Sequence, residues 1–570
     1  MDFPKRAPKF FSRARFLFVL LGCLFLSACR QAEPRADLTI LNGGEPESLD
    51  PAVIVAQVDM RIIQGLFEGL TRFDPKTARA IPGLAERWDI SPDGKTYTFH
   101  LRTNLVWSTG GPITADDVVY SWIRTLDPAT ASDYSSQLYY VKNGEAFNNG
   151  AVKDPSQVGV RALDRFTVEV ELNHPTSFFL DICAMPLTYV VPRQAIEKYG
   201  DRWLMVKPLP VSGPYELVYW RLNDKVRLKK NSRYWDAANT QSDIIDLLPV
   251  GAADAALNLY ETGQADIVWD AQLVPSELLD VLLKRPDFHT FNYLGTYFIR
   301  FNVTKKPLDD VRVRKAFALA IDKARLVKKI TKGGERPASH LVPDGVANYH
   351  PPEGLGYDPV QARQLLAEAG YPGGNGFPHV EYLFNAPAGG IKIHENVAIE
   401  LQQMWHDELG VQIDLRQVEA KNFWGMQSRG EYQISRSSWI GDYNDANTFL
   451  GMFTSNDGNN RTGWKRPAYD ELIQRANEQT DVNERDQIFQ KAETMLVRED
   501  PPIVPLYFYS GINYFDTNRI SGIYPNILDM HPLQAIRKVG RGTRGGAAES
   551  RSSNQSRMTT LDPRPSTLDH

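Results

Sequence analysis

The stretch 434–450, ISRSSWIGDYNDANTFL, places lone charges where a strand should be apolar. Tyr432, Ile434, Arg436, Ser438, Ile440 and Asp442 share one parity, so an extended chain points them all to one face. Burying Arg436 and Asp442 beside Ile434 and Ile440 is costly unless each charge has a partner. They stand six positions apart in the chain. That is about 20 Å along a strand at ~3.3 Å per residue, too far for mutual pairing without a bend. A ligand with a cationic end and an anionic end would satisfy both.

Enzyme chemistry finds little support. His394-Glu395 lacks the second histidine of the zinc-protease pattern HExxH, because position 398 is Ala. There is no GxxxxGK[ST] phosphate loop and no GxSxG elbow. Asp442-Tyr443-Asn444-Asp445 begins like a calcium loop, but Asn447 stands where that loop needs Gly, and the closing Glu is missing. Clustered Asp and Asn are expected to make a turn instead. The sequence therefore predicts a binding protein rather than an enzyme, with no catalytic residue, metal or cofactor.

The elements that must hold these residues alternate between strand and helix. Leu38-Thr39-Ile40-Leu41 opens the fold as a strand. Tyr97, Phe99 and Leu101 alternate with polar residues after the turn signal Pro92-Asp93-Gly94. Thr114, with Asp117 three residues on, is an N-cap for the stripe Val118, Val119, Trp122, Ile123, Leu126. Asp358-Pro359 and Gly370 punctuate a helix at both ends. Tyr297, Ile299 and Phe301 alternate as a strand before a helix expected over 310–330. Two more helices, about 468–478 and 482–498, stop at Asp500-Pro501-Pro502. No internal repeat or coiled-coil heptad is present.

The N-terminus sets the compartment. Lys5, Arg6, Lys9, Arg13 and Arg15 precede an apolar segment, 16–25, too short for a membrane helix of ~20 residues. The segment ends in Leu26-Ser27-Ala28-Cys29, which resembles a bacterial lipobox with Cys29 as the lipidated residue. Leu20-Leu21-Gly22-Cys23 also fits, but would leave too short an apolar core; an ordinary secretory signal is the alternative. Removal of residues 1–28 leaves Cys183 as the single unmodified thiol, so no disulfide framework is possible. Its apolar surroundings suggest a buried small hydrophobe. The whole chain carries a net charge of −5, and residues 1–28 hold five basic side chains and one acidic, so the remainder is near −9. That excludes a basic nucleic-acid footprint. The mature length calls for two or three domains, and the Gly-, Ser- and Arg-rich tail 541–570 is expected to be disordered.

Several ordered motifs then point one way. Glu45-Pro46-Glu47-Ser48-Leu49-Asp50-Pro51, Leu66-Phe67-Glu68-Gly69-Leu70, the stretch ISPDGKTYTFHLRTNLVW at 90–107, Gly213-Pro214-Tyr215, the run DVRVRKA at 310–316, and Asp442-Tyr443-Asn444 occur in this order. Over about 38–539 the chain resembles the oligopeptide-binding lipoproteins of ABC importers, family 5 of the bacterial extracellular solute-binding proteins. The resemblance implies an α/β, two-lobed, three-domain periplasmic-binding-protein-like fold, with mixed sheets and a ligand cleft between lobes. Domain I would comprise 38–71, 197–293 and 510–540, domain II 72–196 and domain III 294–509, with crossing strands as the hinge. It further implies an oligopeptide ligand, permease subunits as partners, a membrane anchor at Cys29 and a monomeric state. Murein peptide, oligosaccharide, metal chelate or haem are alternative cargoes on this fold. An adhesion or chaperone lipoprotein, or a hydrolase of unrecognised chemistry, is a reading from another class.

The resemblance also assigns roles. Asp442 would bind the ligand's α-ammonium, the alternative being a loop carboxylate capping Asn444 or Asn447. Arg436 would take a C-terminal carboxylate bidentately, or else pair with a protein carboxylate. His394 falls where some members bind that carboxylate, and Lys332 is a second candidate for the role. Asp59 stands where a relative has a glutamate near the ligand. Trp439 and Phe508 are pocket-wall candidates, with core packing as their alternative. Ala420 replaces a tryptophan that lines a side-chain pocket in some peptide binders, so that pocket is expected to be remodelled.

Overall fold

The computed structural model describes residues 33–386 and 392–539. Cys29 and its lipobox lie outside the described residues, as does the tail beyond 540. Among the described residues no helix is long and apolar enough to cross a membrane.

An eleven-stranded mixed sheet organises the fold. One half is built on Leu38–Gly43, parallel to Ile244–Pro249 and to Ile267–Val268. Lys225–Lys230 and Tyr215–Arg221 extend it antiparallel to the edge. Leu38, Ile40 and Leu41 are wholly buried, as expected of a strand covered on both faces. In the other half Ile434–Ile440 runs antiparallel to Phe288–Phe301 and parallel to Val380–Asn385, which is in turn parallel to Ile413–Val418.

Two long antiparallel strands, Phe288–Phe301 and Ile503–Phe515, carry the sheet from one lobe to the other. Their register breaks between Asn292 and Thr296. In that gap Leu294 bonds outward, its N–H to the Ile527 carbonyl and its carbonyl to the Gly441 N–H, both at 2.7 Å.

Separate cores follow from this plan. One joins Leu38–Leu66 side chains to Tyr215, Leu247, Trp269 and Phe515. A second lies wholly within 70–190 except for Tyr443; it packs a four-stranded antiparallel sheet against the helix Ala115–Leu126. Asp117 accepts the Thr114 amide at 2.8 Å, giving that helix its start. Two more cores belong mainly to residues 294–507. Cys183 is a free, fully buried thiol in the 70–190 core.

One expected element divides. The helix 310–330 runs as Val311–Leu319, then restarts at Lys323–Leu326 and widens into a π-helical turn, Val327–Thr331. Asp322 causes the restart: its carboxylate accepts the Arg325 amide at 2.9 Å, a cap that competes with continuing the helix.

Candidate functional site

The strand Ile434–Ile440 has one paired edge and one largely open edge. Phe288–Phe301 pairs with all of it, from Gly295 opposite Ile440 to Phe301 opposite Ile434. On the other side Val380–Asn385 pairs only with Ile434 and Ser435. From Arg436 onward no described strand occupies that edge, although the Gln427 amide reaches the Arg436 carbonyl at 3.1 Å. Unpaired N–H and C=O groups on such an edge are a template for an added strand.

Arg436 stands at one end of this edge and is nearly buried, at 5% exposure. Its Nε donates to Asn385 Oδ1 at 2.7 Å and its Nη1 to Ser438 Oγ at 3.4 Å. The guanidinium carbon lies 5.0 Å from the Phe423 ring centre and 5.2 Å from that of Trp424, which supports the cation through the ring faces. No described carboxylate pairs with it, so the expected alternative of a protein ion pair is not what the fold supplies. His394 sits beside it, its Nδ1 3.3 Å from the Tyr297 hydroxyl. Burial, with the charge of Arg436 second, holds its imidazole down at about 3, so the ring is neutral at neutral pH. A cation and a phenol with a neutral imidazole form a setting for a carboxylate.

Asp442 lies just beyond the other end, past Gly441. A β-carbon at Gly441 would come within 2.6 Å of Leu294 Cδ2, so only glycine permits the 2.7 Å bond from its N–H to the Leu294 carbonyl. This turn takes Asp442 out of the strand. Its carboxylate accepts from Gln137 Nε2 at 3.3 Å and meets no described cation. Burial pushes it up to about 6 against that hydrogen bond. Asn447 is capped instead by Asp445, which accepts its amide at 2.9 Å.

Asp442 opens into a cavity of about 320 Å³ that joins three of the cores. The helix Gln57–Leu66 contributes Gln57, Met60, Arg61 and Gln64, the i, i+3, i+4, i+7 face. Trp269, Tyr293 and Met530 are among the apolar walls. Arg61 was not anticipated from the sequence, though this spacing could have revealed it. Its guanidinium donates to the Asn42 carbonyl at 3.1 Å and lies 5.8 Å from the Trp269 ring centre, and burial lowers its pKa.

The remaining candidates are placed elsewhere. Asp59 is on the buried face of the same helix, off the cavity stripe, and accepts the Glu47 amide at 2.9 Å. Burial raises its pKa. Lys332 is exposed and reaches Asp280 at 3.4 Å. Trp439 points to the face opposite Arg436, its indole N–H 3.4 Å from Thr448 Oγ1. Phe508 is 2% exposed and packs on His340, with ring centres 4.9 Å apart. Neither aromatic lines the cavity. Ala420 begins the helix Ala420–Ser428, and the rings that meet Arg436 come from Phe423 and Trp424 along the same helix.

Comparison with known proteins finds relatives over most of the chain. The model for the middle region of the bacterial extracellular solute-binding proteins, family 5, matches residues 79–461. The periplasmic oligopeptide-binding protein OppA of Salmonella typhimurium is 36% identical over 478 residues, 82% of this chain and 86% of OppA. The periplasmic murein peptide-binding protein MppA of Escherichia coli is 34% identical over 477 residues, with the same two coverages of 82% and 86%. The Haemophilus influenzae OppA structure in complex with RPPGFSPFR superposes with a TM-score of 0.71 at 29% identity, covering 90% of this chain and 100% of that one.

Proposed function

The chain belongs to family 5 of the bacterial extracellular solute-binding proteins, and on that premise we propose that it captures oligopeptides outside the cytoplasm and delivers them to an ABC importer permease. One observation carries the reading: an open strand edge flanked by a buried guanidinium without an ion pair, Arg436, and a half-buried carboxylate without one, Asp442. An extended peptide satisfies all three, with backbone groups on the edge, the carboxylate at Arg436 beside His394, and the ammonium at Asp442. Wide chemical tolerance follows, because these groups are common to all peptides.

Domain I takes 38–71, 197–293 and 510–540, domain II 72–196 and domain III 294–509. The separate cores and the register break at Asn292/Thr296 support this division. Ligand touching both lobes favours their closure by its differential affinity. Cys29 carries the lipid anchor and the protein works as a monomer. A Cys29→Ala chain that remains membrane-bound would contradict the anchor. Calorimetry with tri-alanine tests the binding reading: a saturable one-to-one isotherm is expected, and no heat at millimolar peptide would overturn it.

A further inference from the structure

Buried arginines elsewhere in this chain are paired with carboxylates: Arg227 with Asp246, Arg314 with Asp500, Arg485 with Asp445. Around the Arg436 end of the strand the rule fails for the buried Arg300 and Arg436, and the half-buried Arg461 is likewise without an acid. Arg300, Arg436 and Arg461 have no ion pair to any described carboxylate. Arg300 is occupied by backbone, donating to the Asn459 and Asn460 carbonyls and to Ser437 Oγ. Arg436 gives none of its donors to backbone, and Arg461 gives one, its Nε to the Gly458 carbonyl at 3.3 Å. Each leaves its Nη2 without a hydrogen bond to any described residue.

These two share their supports. Gln427 donates to the Arg436 carbonyl and accepts from Arg461 Nη1, each at 3.1 Å. The Trp424 ring lies 5.2 Å from one guanidinium carbon and 6.0 Å from the other. Trp424 is itself 43% exposed, although a large aromatic ring normally finds cover. Arg461 holds a left-handed backbone, φ 44°, a conformation a non-glycine residue adopts at a cost. Asp457 is the acid whose field reaches Arg461, yet it forms no ion pair with it. One ligand carboxylate at Arg436 would leave Arg461 unanswered.

We infer that Arg461 and Trp424 form an anion-selective subsite beside Arg436, so that the protein prefers peptides bearing a second carboxylate, an acidic side chain near the C-terminal end. The inference rests on the reading of Arg436 as the ligand carboxylate's partner. Arg461 supplies the second charge, and the exposed indole face shields the pair from water, where the Coulomb term gains strength.

The test is calorimetry on the full chain, freed of co-purified ligand by unfolding and refolding, with Ala-Ala-Ala, Ala-Glu-Ala, Ala-Ala-Glu, Ala-Lys-Ala and Ala-Ala-Lys. At least one Glu peptide should bind tenfold or more tightly than its Lys counterpart. Arg461→Met should erase that ratio while tri-alanine affinity stays within twofold, and Arg461→Lys should retain part of it. An unchanged ratio in Arg461→Met, or no ratio in the parent chain, overturns the subsite alone. Failure of tri-alanine itself to bind the parent chain overturns the peptide reading and the subsite with it.

Discussion

Gln137 and Asp442 are 305 residues apart in the chain and meet at 3.3 Å, and Gln137 is the one described side chain that hydrogen-bonds to the Asp442 carboxylate. A neutral amide does not neutralise a half-buried negative charge, a deficit that a ligand ammonium would correct. Replacing Asp442 with Ala should weaken peptide binding by ~2–5 kcal/mol, the usual cost of removing one partner of a buried charged contact. Calorimetric affinity equal to the parent would remove Asp442 from the site.

The same carboxylate sets a pH dependence. Burial raises it to about 6 in the free protein, and a bound ammonium favours the ionised form. Binding therefore expels a proton wherever the free carboxyl is protonated. Affinity should be greatest near neutral pH, decline as pH falls through about 6, and decline again above about 8, where the peptide's own α-amino group loses its proton. Asp442→Asn should bind weakly and without that decline. A parent chain whose affinity is flat between pH 5 and 8 would contradict the assignment.

His394 reports on the other end. Its imidazole is held down at about 3 by burial and then by Arg436. A peptide carboxylate at Arg436 offsets the second influence, so the histidine pKa should rise when ligand binds. Its ring-proton NMR shifts, followed against pH with and without saturating peptide, show this directly. An unmoved titration would place the ligand carboxylate elsewhere.

The pair Arg485–Asp445 holds the turn after the strand. Two hydrogen bonds of 2.7 and 2.8 Å join them in a nearly buried setting. Arg485→Leu would leave Asp445 buried and unpaired, at a cost of ~3–5 kcal/mol in urea denaturation. Arg485→Leu with Asp445→Asn should lose less than the two single changes together. Strict additivity would show that the pair is not coupled.

How far the sequence disclosed this site depended on whether a feature was local. Strand parity set Ile434, Arg436, Ser438 and Ile440 on one face, because a period of two is a local property. The same rule extended Asp442 too far along the strand, since the turn at Gly441 depends on Leu294, a residue remote in sequence. The helices at Thr114 and Asp358 were legible through their caps, while the break at Asp322 hid inside a continuing apolar pattern. Position alone placed Asp59 and Lys332 near the ligand. Their side chains go instead to the Glu47 amide and to Asp280, choices made by tertiary packing. Trp424 and Arg461 could not be joined from sequence, because only the fold brings them to one indole ring.

The central claim is that a peptide occupies the edge between Arg436 and Asp442. Native mass spectrometry of the gently purified full chain tests it most directly, by releasing and sequencing whatever travels with the protein. Adducts that fragment as peptides, lost together when Asp442 and Arg436 are both replaced by Ala, are the predicted result. Adducts that prove to be a sugar, a metal complex or another non-peptide solute would contradict it.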